Sequence, residues 1–479
     1  MEQLKQMPSD RTWRRTLAVF GGALILFYLV CPAAPLRWAD LYASYGRTAI
    51  IAMAAIYFFR ARLSGVIEVK LVLWYAIWLF LTRLFNTDLY LQNEYELVVS
   101  RVLCGVVLPL GLILEEKERR VLLDIVIAVA GAYYFVTALL AVFACVFGVY
   151  FYLPPEGVVF GIDNSFYGNS FAYIVAWETS RTIAAVWFYL GWGMMAYEFF
   201  HCKNRLWRIP ICLAWFVFHL AVAFCFCRSI KLAISINTAM LMILLGIQWF
   251  RKKKPALRLA LIALIAALSL VLCYKSFDWL NAGTAAVYNS LDVKIERIAD
   301  QFMGEDYRER TADGQDFEDT RDLGESLTNM SRRSTIYKSV IPTLKADPMR
   351  LLIGKYSSKL MDVPHMFQDF PYWHMHNYLL QVLMLTGLVG LLLAAAFSVS
   401  LVVRMVRLFF TDNPGADLSI KVLTLPLSGV LIYGMFETIL FTASADERAL
   451  TDFRELFFFL VAGMVLAWSY ELAPAKKRR

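Results

Sequence analysis

The chain has 479 residues, of which 59% are apolar, 15% aromatic and only 18% charged, and its mean hydropathy is +0.55. Soluble domains carry about 45–50% apolar and about 25% charged residues, so this composition excludes an ordinary soluble enzyme, a disordered chain and a disulfide scaffold. The net charge of +8 would suit nucleic acid, but Lys and Arg fall in short clusters between apolar runs, which is the pattern of membrane topology.

A helix that spans a bilayer needs about 20 mostly apolar residues. About twelve such runs follow one another, near residues 16–34, 45–59, 69–87, 97–114, 121–152, 182–200, 208–226, 230–250, 257–275, 385–410, 421–443 and 453–471. The expected fold is an all-α, polytopic membrane protein. Membrane helices one to nine occupy residues 1–275, an extracytoplasmic loop 276–376, and the last three helices with a basic tail 377–479. The first run has no small-residue cleavage site and reads as a span, not as a signal peptide.

Numbering the loops by these spans puts the basic clusters on one side: Arg11 to Arg15, Arg60 with Arg62, Lys117 to Arg120, Lys203 to Arg208, Arg251 to Lys254, Arg404 with Arg407, and Lys476 to Arg479. The positive-inside rule makes that side cytoplasmic, so the chain is expected in the cytoplasmic membrane with both termini in the cytoplasm. The opposite side receives an acidic connection (Asp88, Glu94, Glu96), a segment near 153–180, a very short turn at Arg228, and the long loop. Within that loop Val287, Leu291, Ile295, Ile298 and Phe302 have helical spacing, residues 305–325 are acidic and polar, and a short helix starts at Ser331 and ends near Pro342. No internal repeat of the kind many transporters carry is visible. All eight cysteines lie in or beside apolar runs and read as packing residues.

Charges within a membrane are costly and draw attention to function. Arg47, Arg83, Arg101, Arg181, Arg228 and Lys231 lie near the outer ends of spans, against the positive-inside trend. They either snorkel to headgroups and pair with nearby acids, or they face an anionic ligand. Arg228 favours the second reading, since its turn is too short to be a solvated loop and Lys231 follows one helical turn later on the same face. A guanidinium stays charged and donates paired hydrogen bonds to phosphate oxygens, which suits a diphosphate. Glu437, inside the eleventh span, is a structural ion-pair partner or a catalytic base or orienter. Histidine is scarce, with five in the chain, and two of them form His374-Met375-His376 where the long loop re-enters the membrane. On a helix those two rings point apart, so they do not read as a metal pair.

The run His376-Asn377-Tyr378-Leu379-Leu380-Gln381, then Thr386-Gly387-Leu388-Val389-Gly390, resembles the signature of the O-antigen ligase and O-antigen polymerase family of membrane glycosyltransferases. Arg228 after its short outer turn is similar to the family's Ser-Arg-Gly element, with Cys227 and Ser229 in place of the serine and glycine. The run Arg333 to Tyr337, with Pro348 and Gly354, resembles its Arg-x-x-x-aromatic segment and the turn that follows, although Lys355 and Tyr356 replace the usual glycine-rich continuation. The likeness covers roughly residues 210–400.

The resemblance implies a glycan donor carried on undecaprenyl diphosphate at the outer leaflet and a saccharide acceptor. It implies diphosphate contacts from Arg228 and Arg181, with Lys231 and Arg333, and support from Asn377, Arg101 and Arg47. His376, with Glu437, would serve as base. No cofactor, metal or nucleic acid is expected. A repeat-unit polymerase of the same family and a flippase for lipid-linked sugars are the alternative readings.

Overall fold

A computed structural model describes residues 11–30, 65–85, 104–105, 107–147, 151–153, 157–163, 173–176, 181–225, 227–291, 348–354, 377–411, 417–436 and 453–472. Its helices are α1 (Arg11–Val30), α2 (Ile67–Phe85), α3 (Glu116–Phe147), α4 (Arg181–His201), α5 (Arg205–Phe224), α6 (Arg228–Trp249) and α7 (Pro255–Leu291). Then follow α8 (Pro348–Ile353), α9 (Tyr378–Phe410), α10 (Leu418–Val422), α11 (Thr424–Gly434) and α12 (Phe453–Glu471). Among the described residues, six helices are long and apolar enough to cross a membrane, and the apolar stretch Leu418–Gly434 is shorter.

These elements track the apolar runs closely where both are defined. The run at 453–471 coincides with α12, while the run at 45–59 and the end of the run at 421–443 lie outside the described residues. The helix α7 continues past residue 275 to Leu291, so Val287 and Leu291 of the amphipathic pattern belong to the same helix, beyond the membrane-spanning stretch Pro255–Ala282. Between α3 and α4, in the segment expected as an outer loop, lies a three-stranded antiparallel sheet: β1 (Phe151–Leu153), β2 (Gly157–Asp163) and β3 (Tyr173–Ala176). A purely helical chain was expected, and these strands add to it. The register pairs Phe160 with Phe151 on one side and Ala176 on the other. The sheet touches α3, α4 and α5.

The buried apolar core is shared by α3, α4, α5, α9 and α12, with α12 at its centre. Its aromatic contacts include Tyr134 against both Trp187 and Phe453, with ring centroids 5.4 and 5.6 Å apart. By contrast, only 11% of the α7 span and 22% of the α5 span are buried, so both helices lie at the periphery and turn apolar surface outward.

Ion pairs gather where the basic clusters were expected to share one side. Arg14 pairs with Glu115 at 2.9 Å and Arg15 with Glu118 at 3.3 Å, which joins the start of α1 to the start of α3. Arg119, almost fully buried, pairs with Glu471 at the end of α12 and donates to the Leu114 carbonyl at 2.8 Å. Arg120 reaches Asp417 at 3.0 Å. Partial burial pushes the Asp417 carboxyl up, but Ser419, the Ile420 amide and Arg120 outweigh it and hold the group below its ordinary value. Glu68, fully buried in the first turn of α2, accepts from Ser400 at 2.7 Å, Arg404 at 3.2 Å and Tyr470 at 2.8 Å. Starts of α1, α2 and α3 and ends of α9 and α12 are thus tied together on one face.

A buried carboxylate is tolerated only when its partners are complete, and removing one side of such a pair costs about 3–5 kcal/mol. Glu68→Ala is therefore expected to destabilise the protein by about 3 kcal/mol, read as a lower thermal midpoint in detergent. An unchanged midpoint would show that this junction does not hold the helices together.

Candidate functional site

The face opposite the ion pairs carries the first residues of α4, α6 and α9, the last residues of α5 and α11, and α8. Three residues separate α5 from α6, as the sequence led one to expect for the turn at Arg228. Cys227 N-caps α6 with its Sγ 3.5 Å from the Ser229 hydroxyl and not on a backbone amide, and Arg228 opens the helix with an exposed side chain. The N-terminal amides of a helix carry partial positive charge, which reinforces a cation at this position toward an anion.

Lys231, one turn along, differs from Arg228 in being 94% buried, and its Nζ lies 5.9 Å from the Phe277 ring centroid in α7. Phe277 stacks on His219 of α5 with centroids 4.2 Å apart. The Ser276 hydroxyl donates to the Cys273 carbonyl at 2.6 Å, so its oxygen accepts the His219 Nε2 proton at 2.9 Å. Arg228 thus stands at the surface, above a packed layer of Lys231, Phe277 and His219.

Asn377 stands at the start of α9. Its Oδ1 caps α9 by accepting from the Leu380 amide at 3.1 Å, and its Nδ2 donates to the Met435 carbonyl at 3.0 Å, at the end of α11. One side chain therefore joins the start of α9 to the end of α11. Of the other predicted site residues, Arg181 is the first residue of α4, while Arg47, Arg101, Arg333, His376 and Glu437 lie outside the described residues. The bond from Asn377 to Met435 ties the neighbour of His376 in the chain to a carbonyl two residues before Glu437.

Two glycines from separate elements of the sequence signature, Gly387 and Gly354, have a direct structural use. Within α9, Gly387 has φ of +66°, which breaks the helix, and a Cβ there would overlap the Leu352 carbonyl of α8. Gly354, at φ of +74°, lies reciprocally against the backbone of Leu385 and Thr386. Each chain can approach the other only without a side chain, in a conformation that other residues reach at a cost. The Thr386 carbonyl, at the break, accepts from the Trp78 indole at 2.7 Å. Two motif fragments about 30 residues apart in sequence are one contact in space. Gly387→Val is expected to cost about 3 kcal/mol or more from backbone strain and overlap. Native-like yield and thermal midpoint for that variant would refute the role given to this contact.

The sequence reading missed a polar knot inside the bundle. Asn237 of α6 donates from Nδ2 to Tyr189 Oη of α4 at 2.7 Å and to the Leu425 carbonyl of α11 at 2.8 Å, and its Oδ1 accepts from Ser428 at 2.8 Å. Tyr189 donates on to the Leu425 and Pro426 carbonyls at 3.0 and 3.1 Å. Gly429 leaves the space into which the Tyr189 hydroxyl fits. The three helices held here are those that begin with Arg181, begin with Arg228 and end before Glu437. A single asparagine in the middle of an otherwise apolar run was the available signal. Asn237→Leu is expected to lower stability by about 1–2 kcal/mol, measurable as a shift in the detergent melting curve, and no shift would mean that the knot is not holding the helices.

Residues 213–395 match the family model described as O-antigen ligase. This segment is similar to an O-antigen ligase domain. It begins within α5 and ends within α9, and so contains Arg228, Lys231, Arg333, His376, Asn377 and both of these glycines, with Arg181 and Glu437 outside it. A search of curated proteins gives no match. The match covers less than half of the chain and makes this stretch, which holds two of the long apolar helices and parts of α5 and α9, similar to O-antigen ligases.

Proposed function

We propose that the chain transfers a glycan from an undecaprenyl-diphosphate carrier to a saccharide acceptor at the outer face of the cytoplasmic membrane, as an O-antigen ligase. The observation that carries this reading is the O-antigen ligase match over the stretch that holds Arg228 and Asn377. The acceptor hydroxyl attacks the anomeric carbon as the bond to the diphosphate oxygen breaks, so negative charge grows on the leaving group. Preplaced cations lower the barrier most where charge develops. Arg228, with Arg181, Lys231 and Arg333, takes that role, and no metal is required.

His376 takes the acceptor proton, assisted or replaced by Glu437, because an imidazole titrates near neutral pH. A single displacement inverts the anomeric centre. Asn377 anchors the loop beside this chemistry through its cap and its bond to Met435. Both termini then lie in the cytoplasm, on the face where Arg14, Arg119 and Glu471 meet their partners.

The test supplies purified protein with a polyprenyl-diphosphate oligosaccharide and an added acceptor. A single transfer onto the acceptor supports the ligase. A ladder of lengthening glycans on the carrier identifies a polymerase instead, and transbilayer movement without transfer identifies a flippase.

A further inference from the structure

The net charge of the chain is not spread along it. Residues 199–277 contain no Asp or Glu and eleven Lys or Arg, so this stretch carries +11, and the other 400 residues, with 36 cations and 39 acids, carry −3. Two of the eleven, Arg228 and Lys231, belong to the outer site. Lys275, near the same end of α7, pairs with Asp278 at 3.3 Å. The remaining eight (Lys203, Arg205, Arg208, Arg251 to Lys254 and Arg258) lie at the opposite face, in the α4–α5 turn, the α6–α7 turn and the helix starts that follow them.

These cations differ from others on that face. Around α1, α3 and α9 five guanidinium groups meet carboxylates: Arg14, Arg15, Arg119, Arg120 and Arg404 are ion-paired. Among the described residues, no carboxylate pairs with any of the eight. Arg208 donates to the Cys202 carbonyl instead. Arg251 to Lys254 are exposed as a continuous run.

The helices that bear them are the peripheral α5 and α7, whose outward surface is apolar. Leu206, Ile209 and Leu259 are 75%, 60% and 70% exposed, next to the charged turns. Trp207 and Trp249, 65% and 59% exposed, lie at the same ends. Tryptophan in such a position sits at the headgroup level, and a cluster of cations immediately beyond the end of a membrane span attracts anionic lipid. Lysine stems can lie on apolar surface while the ammonium reaches a phosphate.

We propose that the α6–α7 turn, with Arg258 and the neighbouring α4–α5 turn, is a binding site for anionic phospholipid headgroups in the cytoplasmic leaflet, and that these supply counterions to cations that no carboxylate among the described residues pairs with. The surface is built for lipid, since the cations stand directly beside apolar, outward-facing helix and not in a cleft.

The experiment uses the full-length protein in detergent, supplied with equal amounts of phosphatidylglycerol and phosphatidylethanolamine, and counts the lipids retained by native mass spectrometry. The wild type is expected to keep phosphatidylglycerol in preference, and the double variant Lys252→Gln/Lys253→Gln to lose at least half of that preference. Arg15→Gln, at a cation already paired with Glu118, should leave it unchanged. Three cations remain in the double variant's turn and its start, Arg251, Lys254 and Arg258, to preserve the topology. If the variant still fails to insert, the wild type decides the matter: retention should fall as salt is raised, as screening of exposed charges requires. Equal retention of both lipids by the wild type, an undiminished preference in a folded double variant, salt-independent retention, or displacement by millimolar inorganic phosphate would overturn the proposal.

Discussion

Arg228→Ala is expected to reduce glycan transfer by about 10²–10³-fold, the usual loss when one preplaced donor to a developing negative charge is removed. The exposed Arg228 guanidinium opens α6 over a packed layer, so its removal should leave the fold intact. Arg228→Lys keeps the charge but loses the planar fork, and should recover only part of the activity. The check is the rate of transfer from a purified lipid-linked donor, beside a melting curve that shows each variant folded. Wild-type rates in the alanine variant would remove Arg228 from the site and leave the family likeness in place, because that rests on the whole matched segment.

His376→Ala should cost about 10²–10⁴-fold, the range for losing a positioned general base. The sign of the accompanying pH effect follows from the imidazole, which accepts a proton only when neutral. Wild-type activity should therefore fall as pH is lowered and the imidazole takes up a proton, and the residual activity of the alanine variant should not show that fall. Glu437→Gln separates the two candidate bases. If it alone abolishes the fall while His376→Ala keeps it, the carboxylate is the base and the histidine has another task.

The spans were legible because lipid imposes a simple rule on sequence, and α12 falls on its apolar run to the residue. The Arg228 turn was legible for the same reason, as a charge between two runs with no room for a loop. The glycine signature could be seen but not interpreted. Its meaning lies in the contact of Gly387 with α8 and of Gly354 with α9, which no spacing along one helix reveals. Nor could the partners of Asn237 be named, because Tyr189, Leu425 and Ser428 lie 48 to 191 residues away. The strands between α3 and α4 were hidden by their shortness, three to seven residues without a long alternation.

Glu68 shows how the chain must wait for itself. Its partners Ser400 and Tyr470 follow it by 332 and 402 residues. Domains emerge from the ribosome at about 5–20 residues per second, so Tyr470 is made about 20–80 s after Glu68. For that interval the carboxylate stands at the mouth of α2, in its first turn, where water can keep it charged until the last helix arrives. Had it been placed two turns deeper, the same ion cluster would have to assemble from lipid. This one ion cluster draws on α2, α9 and α12, and so cannot be complete before α12 has been made.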